Sequence, residues 1–249
     1  MRDPELLRDH GVFIAEGRLV VQRLLERSPF RPRSVLVTAA ALSRLENLLR
    51  SAPCSVLVAP PDVLAAVTGF DVHRGCLAIA ERGPAASIDR LLGSAGPLVI
   101  LERVGNPDNV GGTFRNAAAF GASGVLLSPG CSDPLYRKAI RTSMGAALTV
   151  PFAAAEPWPA ALEQLRSRHW TLVSLTPSPD SPRLSQAAAT LTGRHVALLL
   201  GHEGSGLSDE AQRFAHVRAR IPMAEGTDSL NVAAASAAAL YEIRRASAF

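Results

Sequence analysis

Short apolar runs alternate with amphipathic stretches along the whole chain. Val12-Phe13-Ile14 reads as a strand. From Glu16 to Arg27, the positions Leu19, Val20, Arg23, Leu24 and Arg27 recur at helical spacing. Ser34-Val35-Leu36-Val37 predicts a second strand, Ala39 to Arg50 a second helix and Ser55-Val56-Leu57-Val58 a third strand. Pro60-Pro61 opens a short helix, and Cys76-Leu77-Ala78-Ile79-Ala80 reads as a further strand. This alternation predicts a small α/β sandwich over residues 1–85, with a mostly parallel sheet.

Breakers follow at Gly83-Pro84, Ser87, Gly93-Ser94 and Gly96-Pro97, so residues 86–96 are expected to form a linker with one short helix at Ile88–Leu92. A second domain is expected over 97–249. Its strands are read at Leu98–Leu101, Gly124–Leu127, Thr149-Val150, Thr171–Leu175, His195–Leu200 and Val217–Ile221. Helices fall between them, and a last one runs from Leu230 to Arg245. The fold class is therefore α/β throughout.

The chain has 249 residues, 47% hydrophobic and 19% charged, which excludes a disordered class and allows a large core. No run approaches the ~18 apolar residues of a membrane span, and the start lacks an apolar signal segment. Cys54, Cys76 and Cys131 make a poor disulfide framework and carry no zinc spacing, so they read as reduced cysteines of a cytoplasmic protein with no metal. Net charge is +4, and Lys138 is the one lysine among 26 basic residues. Arginine forks match phosphate, although arginine-rich base composition gives the same count.

Three segments of the second half carry candidate chemistry. The first is Asn106-Pro107-Asp108-Asn109-Val110-Gly111-Gly112-Thr113-Phe114-Arg115-Asn116, a strand-to-helix passage with Asn109 near the helix start. Free N–H groups there favour an anion, and an ordinary asparagine cap fits equally. The second is Leu198-Leu199-Leu200-Gly201-His202-Glu203-Gly204-Ser205-Gly206-Leu207-Ser208, a buried strand ending in a glycine-rich turn. Ser208 then caps a helix. Such glycines let a ligand approach the backbone. Their spacing matches neither a dinucleotide fingerprint nor a phosphate-binding loop with its lysine. The third is Ile221-Pro222-Met223-Ala224-Glu225-Gly226-Thr227-Asp228-Ser229-Leu230-Asn231-Val232-Ala233. There Ser229 or Asn231 opens an alanine-rich helix.

In this order, the three segments resemble the signature motifs of the SpoU/TrmH-type RNA ribose methyltransferases. Arg137-Lys138-Ala139-Ile140-Arg141-Thr142-Ser143-Met144-Gly145-Ala146 resembles the segment between the first two motifs. The likeness covers about 97–245. Phe13-Ile14-Ala15-Glu16-Gly17 and His73-Arg74-Gly75 resemble, more loosely, the ribosomal-protein-like substrate-binding domain that precedes the catalytic domain in many members. The family often has asparagine where His202 stands. The resemblance implies a C-terminal trefoil knot, S-adenosylmethionine as methyl donor and a homodimer.

It also implies residue roles. Arg115 matches the central catalytic arginine, and Asn109, Glu203, Ser229 and Asn231 match the other polar motif positions. Gly201, Ile221 and Leu230 match cofactor-binding positions, with Met223 beside them and Thr176 added as the residue after a strand end. Arg31, Arg33, Arg137, Lys138 and Arg141 are candidate phosphate grips for RNA, each also readable as a solvated side chain. Ribosomal RNA is favoured over transfer RNA, because shape recognition of folded RNA uses accessory surfaces. The alternatives are a transfer-RNA 2′-O-methyltransferase and a non-catalytic RNA-binding or ribosome-assembly protein of the same fold. A nucleotide-dependent dehydrogenase is disfavoured by the glycine spacing.

Overall fold

A computed structural model describes residues 2–68, 75–93 and 95–247. His73 and Arg74, quoted above for the first domain, and the breaker Ser94 lie outside the described residues. In chain order the elements are α1 (Asp3–His10), β1 (Val12–Glu16), α2 (Arg18–Arg27), β2 (Pro32–Val37), α3 (Ala39–Arg44), α4 (Glu46–Arg50), β3 (Ser55–Val58), α5 (Pro61–Thr68) and β4 (Cys76–Glu81). Then come α6 (Ile88–Leu92), β5 (Leu98–Leu101), α7 (Pro107–Ala119), β6 (Gly124–Leu127), α8 (Arg137–Thr142) and a 3-10 turn at Ala146–Leu148. The chain ends with β7 (Phe152–Ala154), α9 (Ala160–Ser167), β8 (Thr171–Leu175), α10 (Leu184–Ala189), β9 (Val196–Leu200), α11 (Asp209–Phe214), β10 (Val217–Ala219) and α12 (Val232–Ser247). Among the described residues, no helix is long and apolar enough to cross a membrane.

The chain divides into two compact units, and neither is continuous in sequence. The first joins Met1–Ala85 to Asp133–Thr149, and the second joins Ala86–Ser132 to Val150–Phe249. Residues 86–96, read as a linker, carry α6, whose Leu91 is fully buried in the second unit's core. Segment 133–149, read as part of the second domain, packs in the first.

The first unit has, among the described residues, a four-stranded sheet in the order β1-β4-β2-β3. The expectation of a mostly parallel sheet fails here. β4 enters between β1 and β2 and runs antiparallel to both, leaving β2–β3 as the parallel pair. Alternating elements show strand and helix, but not that the last strand returns down the middle. A turn at Leu45, with non-helical backbone at φ -116° and ψ 14°, likewise splits the expected Ala39–Arg50 helix into α3 and α4. Phe13, Leu24, Val35 and Val37 fill the core, with Phe30 set edge-on to Phe13. Segment 133–149 adds Leu135, Ala139, Ile140 and Leu148, all buried, with α8 against β1. It is tied by Arg137 to Asp3 (2.6 Å), by Arg82 to Asp133, and by Arg23 donating to the Met144 carbonyl (2.7 Å).

The second unit has, among the described residues, a six-stranded sheet in the order β10-β8-β9-β5-β6-β7, parallel at every pairing. Strands covered on both faces read as unbroken apolar runs, and all of Leu98-Val99-Ile100-Leu101 is buried. One face carries α6, α9 and α11 around Ile100, Leu162, Trp170 and Leu199. α7 and α12 pack together, and α10 packs on α12. Gly112 makes the close helix approach possible, since a Cβ there would lie 2.6 Å from Ala233 Cβ. The strand expected at Thr149-Val150 forms instead at β7, Phe152–Ala154.

One histidine gives the second unit a pH response. His216 Nδ1 accepts the Leu172 backbone N–H at 3.0 Å. Burial first, then the charges of Arg166 and Arg194, hold its pKa below the ordinary 6.5. The unfolded chain therefore takes up this proton at higher pH than the folded one. The stabilisation is complete above about 6.5 and is lost as pH falls through the folded value. The melting temperature is expected to drop on acidification below pH ~6.5, and less steeply in His216→Asn. Parallel melting profiles for the two proteins would refute this.

Candidate active site

Three loops at the C-terminal ends of β8, β9 and β10 line a cavity of about 400 Å³. That lies in the range of small-ligand sites. Its glycine-rich wall follows β9. His202 and Gly206 bond each other through both backbone pairs (3.1 and 2.9 Å), and His202 Nδ1 accepts the Gly204 and Ser205 N–H groups at 2.9 and 3.2 Å. Gly201 lies under this turn. A Cβ there would fall 2.2 Å from Gly206 C and 2.3 Å from Leu207 N, so no other residue fits without moving backbone.

The five residues expected to bind cofactor, Gly201, Ile221, Met223, Leu230 and Thr176, all line this cavity. Ser229 and Glu203 line it too. Leu175, Leu200 and Val232 add apolar walls that the motif reading missed. A strand-end signal was available for Leu175 and Leu200, because ligands in open parallel sheets sit beyond the carboxyl ends of strands.

Beside the cavity runs a directional hydrogen-bond chain. Asn231 caps α12, its Oδ1 accepting the Ala233 and Ala234 N–H groups at 2.9 and 3.3 Å. Asn231 Nδ2 donates to Asn109 Oδ1 at 2.7 Å, and Asn109 Nδ2 donates to Glu203 Oε1 at 2.7 Å. Residues from all three motifs thus meet, and every donor points toward the carboxylate. Chained bonds of this kind polarise one another. Asn109 is not the cap of α7. Asn106 holds that place, accepting the Asp108 N–H at 2.9 Å, and Asn109 is buried inside the first turn.

Arg115 and Ser229 are not joined to this chain. Arg115 stands exposed on α7, with no hydrogen-bond or ion-pair partner among the described residues. The helix beneath it is fixed, because Asn116 Nδ2 donates to the Ala233 carbonyl and Ser236 Oγ at 2.7 and 2.8 Å. Asn116 was not singled out from sequence.

Glu102 was also missed. It is 1% exposed, just beyond β5. Oε1 accepts Trp158 Nε1–H (3.0 Å) and Ser208 O–H (2.6 Å), and Oε2 accepts Ser208 N–H (2.8 Å). Ser208 in turn caps α11 by accepting the Ala211 N–H, as the sequence led us to expect. Glu102 therefore fixes the end of the glycine-rich turn. Its signal was an acid placed directly after a fully buried strand.

The expected RNA-grip residues all lie in the first unit. Arg31 and Arg141 are exposed. Arg33 pairs with Glu81 at 3.0 Å, and Arg137 is committed to Asp3. Among the described residues, no group of three or more His, Cys, Asp or Glu could hold a metal ion.

Residues 96–241 match the SpoU rRNA Methylase family. An uncharacterized tRNA/rRNA methyltransferase of Mycobacterium bovis is 43% identical over 244 residues, 98% of this chain and 84% of that protein. The chain belongs to the SpoU rRNA methylase family. Another relative, the 23S rRNA (guanosine-2′-O-)-methyltransferase of Ralstonia nicotianae, is 30% identical over 209 residues, 81% of this chain and 82% of that protein. An AdoMet-bound rRNA methyltransferase from Sinorhizobium meliloti superposes with a TM-score of 0.81 at 27% identity, covering 97% of this chain and 90% of that one. The SpoU chain is an RNA methyltransferase with an α/β fold and a parallel sheet like theirs. Its cavity and hydrogen-bond chain lie within the matched residues.

Proposed function

We propose that this SpoU methyltransferase methylates a ribose 2′-hydroxyl of ribosomal RNA, with S-adenosylmethionine as donor. The observation that carries the reading is the Asn231–Asn109–Glu203 chain beside a cavity floored by Gly201. A flat apolar and backbone-lined cradle suits an adenosine moiety. Gly201, Ile221, Met223, Leu230 and Thr176 would hold it, with Ser229 and Glu203 at the polar rim. When bound, S-adenosylmethionine supplies a methyl carbon made electrophilic by its positive sulfur.

The chain's own residues then hold the ribose in line and stabilise the developing alkoxide. Arg115 carries an unneutralised charge suited to both the target phosphate and the alkoxide. A guanidinium stays protonated in proteins and is a poor base, so the hydroxyl proton leaves through the phosphate or water. Glu203 keeps its orientation through Asn109, and Asn231 ties both to α12. Arg31, Arg33, Arg137, Lys138 and Arg141 are assigned to RNA phosphates, with Arg33 and Arg137 first leaving their acids. The reading carries with it an RNA-binding first unit, a C-terminal trefoil knot, a homodimer and a cytoplasmic location.

The test is a map of 2′-O-methylated sites, read as resistance to alkaline cleavage, in the parent strain and a deletion strain. Loss of a site in ribosomal RNA is expected. Loss in transfer RNA would redirect the substrate, and an unchanged map with the protein expressed would overturn the enzymatic reading.

A further inference from the structure

A groove of about 340 Å³ between α9 and α11 has no part in that mechanism. Its walls are Pro159, Arg166, Glu210, Arg213 and Phe214. The Arg166 guanidinium carbon lies 5.9 Å from the centre of the Phe214 ring, over its face and within cation–π reach. Neither Arg166 nor Arg213 has an ion-pair partner among the described residues, whereas nearby Arg168 is paired with Asp89. The positive charge is felt locally, since Arg166 disfavours protonation of His216.

The groove is coupled to the cavity by α11. That helix starts directly after the Gly201–Leu207 turn, and its Gln212 lines the cavity while Glu210, Arg213 and Phe214 line the groove. A planar cation for stacking, a second cation and a carboxylate together match one unpaired nucleotide. Bases splayed from folded RNA stack on arginine planes and aromatic rings and are read along their edges. Of the four bases, guanine presents adjacent imino and amino N–H donors to a carboxylate.

We propose that this groove binds an unpaired guanosine of the substrate RNA. Its base stacks on Arg166, its N1–H and N2–H bonds go to Glu210, and its phosphate rests on Arg213. The proposal depends on the chain acting on RNA and adds a second contact point away from the reacting ribose.

The probe is a short fluorescein-labelled oligoadenylate with one central guanosine, compared by anisotropy with its all-adenosine and central-inosine forms. The guanosine form is expected to bind about fivefold tighter than the adenosine form, with inosine between them. Glu210→Gln should erase that preference. Arg166→Gln with Arg213→Gln should weaken binding about tenfold, and Arg213→Gln alone should lower the salt slope by about 0.7. Calorimetric S-adenosylmethionine affinity and melting temperature, both unchanged, show that the variants are folded. Equal oligonucleotide affinity in the double variant, or a guanosine preference surviving Glu210→Gln, overturns the proposal alone. Equal competition by polyglutamate overturns it in favour of a general anion site. A wild-type protein that binds none of these probes, nor ribosomal RNA, overturns the RNA reading with it.

Discussion

Arg115→Ala is expected to lower the turnover of methyl transfer about a thousandfold, while S-adenosylmethionine affinity stays within about twofold. The expectation follows from where the side chain stands. Arg115 is exposed and unpartnered on a helix whose backbone is pinned by Asn116, so its loss breaks no internal contact. What disappears is charge available to substrate. Arg115→Lys separates two roles. A phosphate clamp tolerates the ammonium and keeps turnover within about a hundredfold, because charge survives while the bidentate fork is lost. A base defined by guanidinium geometry falls as far as alanine does. Single-turnover rates on the mapped RNA measure the difference, and a lysine variant at full rate would contradict both roles.

Gly201→Ala is expected to weaken S-adenosylmethionine binding more than about a hundredfold and to cost about 1–3 kcal/mol of stability. The added methyl would meet backbone atoms of Gly206 and Leu207 at 2.2 and 2.3 Å, and backbone cannot swing aside as a flexible side chain can. Gly204→Ala is the control in the same turn. Its Cβ would meet only the His202 ring, at 3.5 and 3.6 Å, and is expected to leave binding intact. Calorimetry on both variants, with melting curves to confirm folding, decides the matter. Wild-type affinity in Gly201→Ala would show that the turn is not the floor of the ligand site.

These expectations also mark how far sequence could lead. Strands buried on both faces announce themselves as apolar runs, and Leu98–Leu101, Gly124–Leu127 and Thr171–Leu175 form at the residues expected. The cap at Ser208 was equally legible, since a short polar side chain at a helix start has few other uses, and that of α12 was narrowed to Ser229 or Asn231, of which Asn231 holds the place. Gly201, Ile221 and Leu230 came from motif position, Met223 from its place beside them and Thr176 from a strand end, and all five line one space. Hydrophobic period states what an element is, but not which neighbour it takes. That is why the antiparallel insertion of β4 was missed, and why α8 was assigned to the wrong unit. Glu102 was overlooked for a related reason: a buried acid is defined by partners at Trp158 and Ser208, which are far away in sequence.

The discontinuity of both units sets an order for biosynthesis. A ribosome that has released residues 1–85 has made only part of the first unit, because α8 and the buried Leu135, Ile140 and Leu148 are still to come. The strands β5 and β6 emerge before that unit can close. Domains usually fold one after another as they leave the ribosome, at about 5–20 residues per second. Here the nascent first unit must wait, its β1 surface uncovered, until Thr149 is free. Cutting the gene between residues 85 and 86 would make that wait permanent, yielding one fragment that lacks its covering helix and another that carries the helix with nothing to cover.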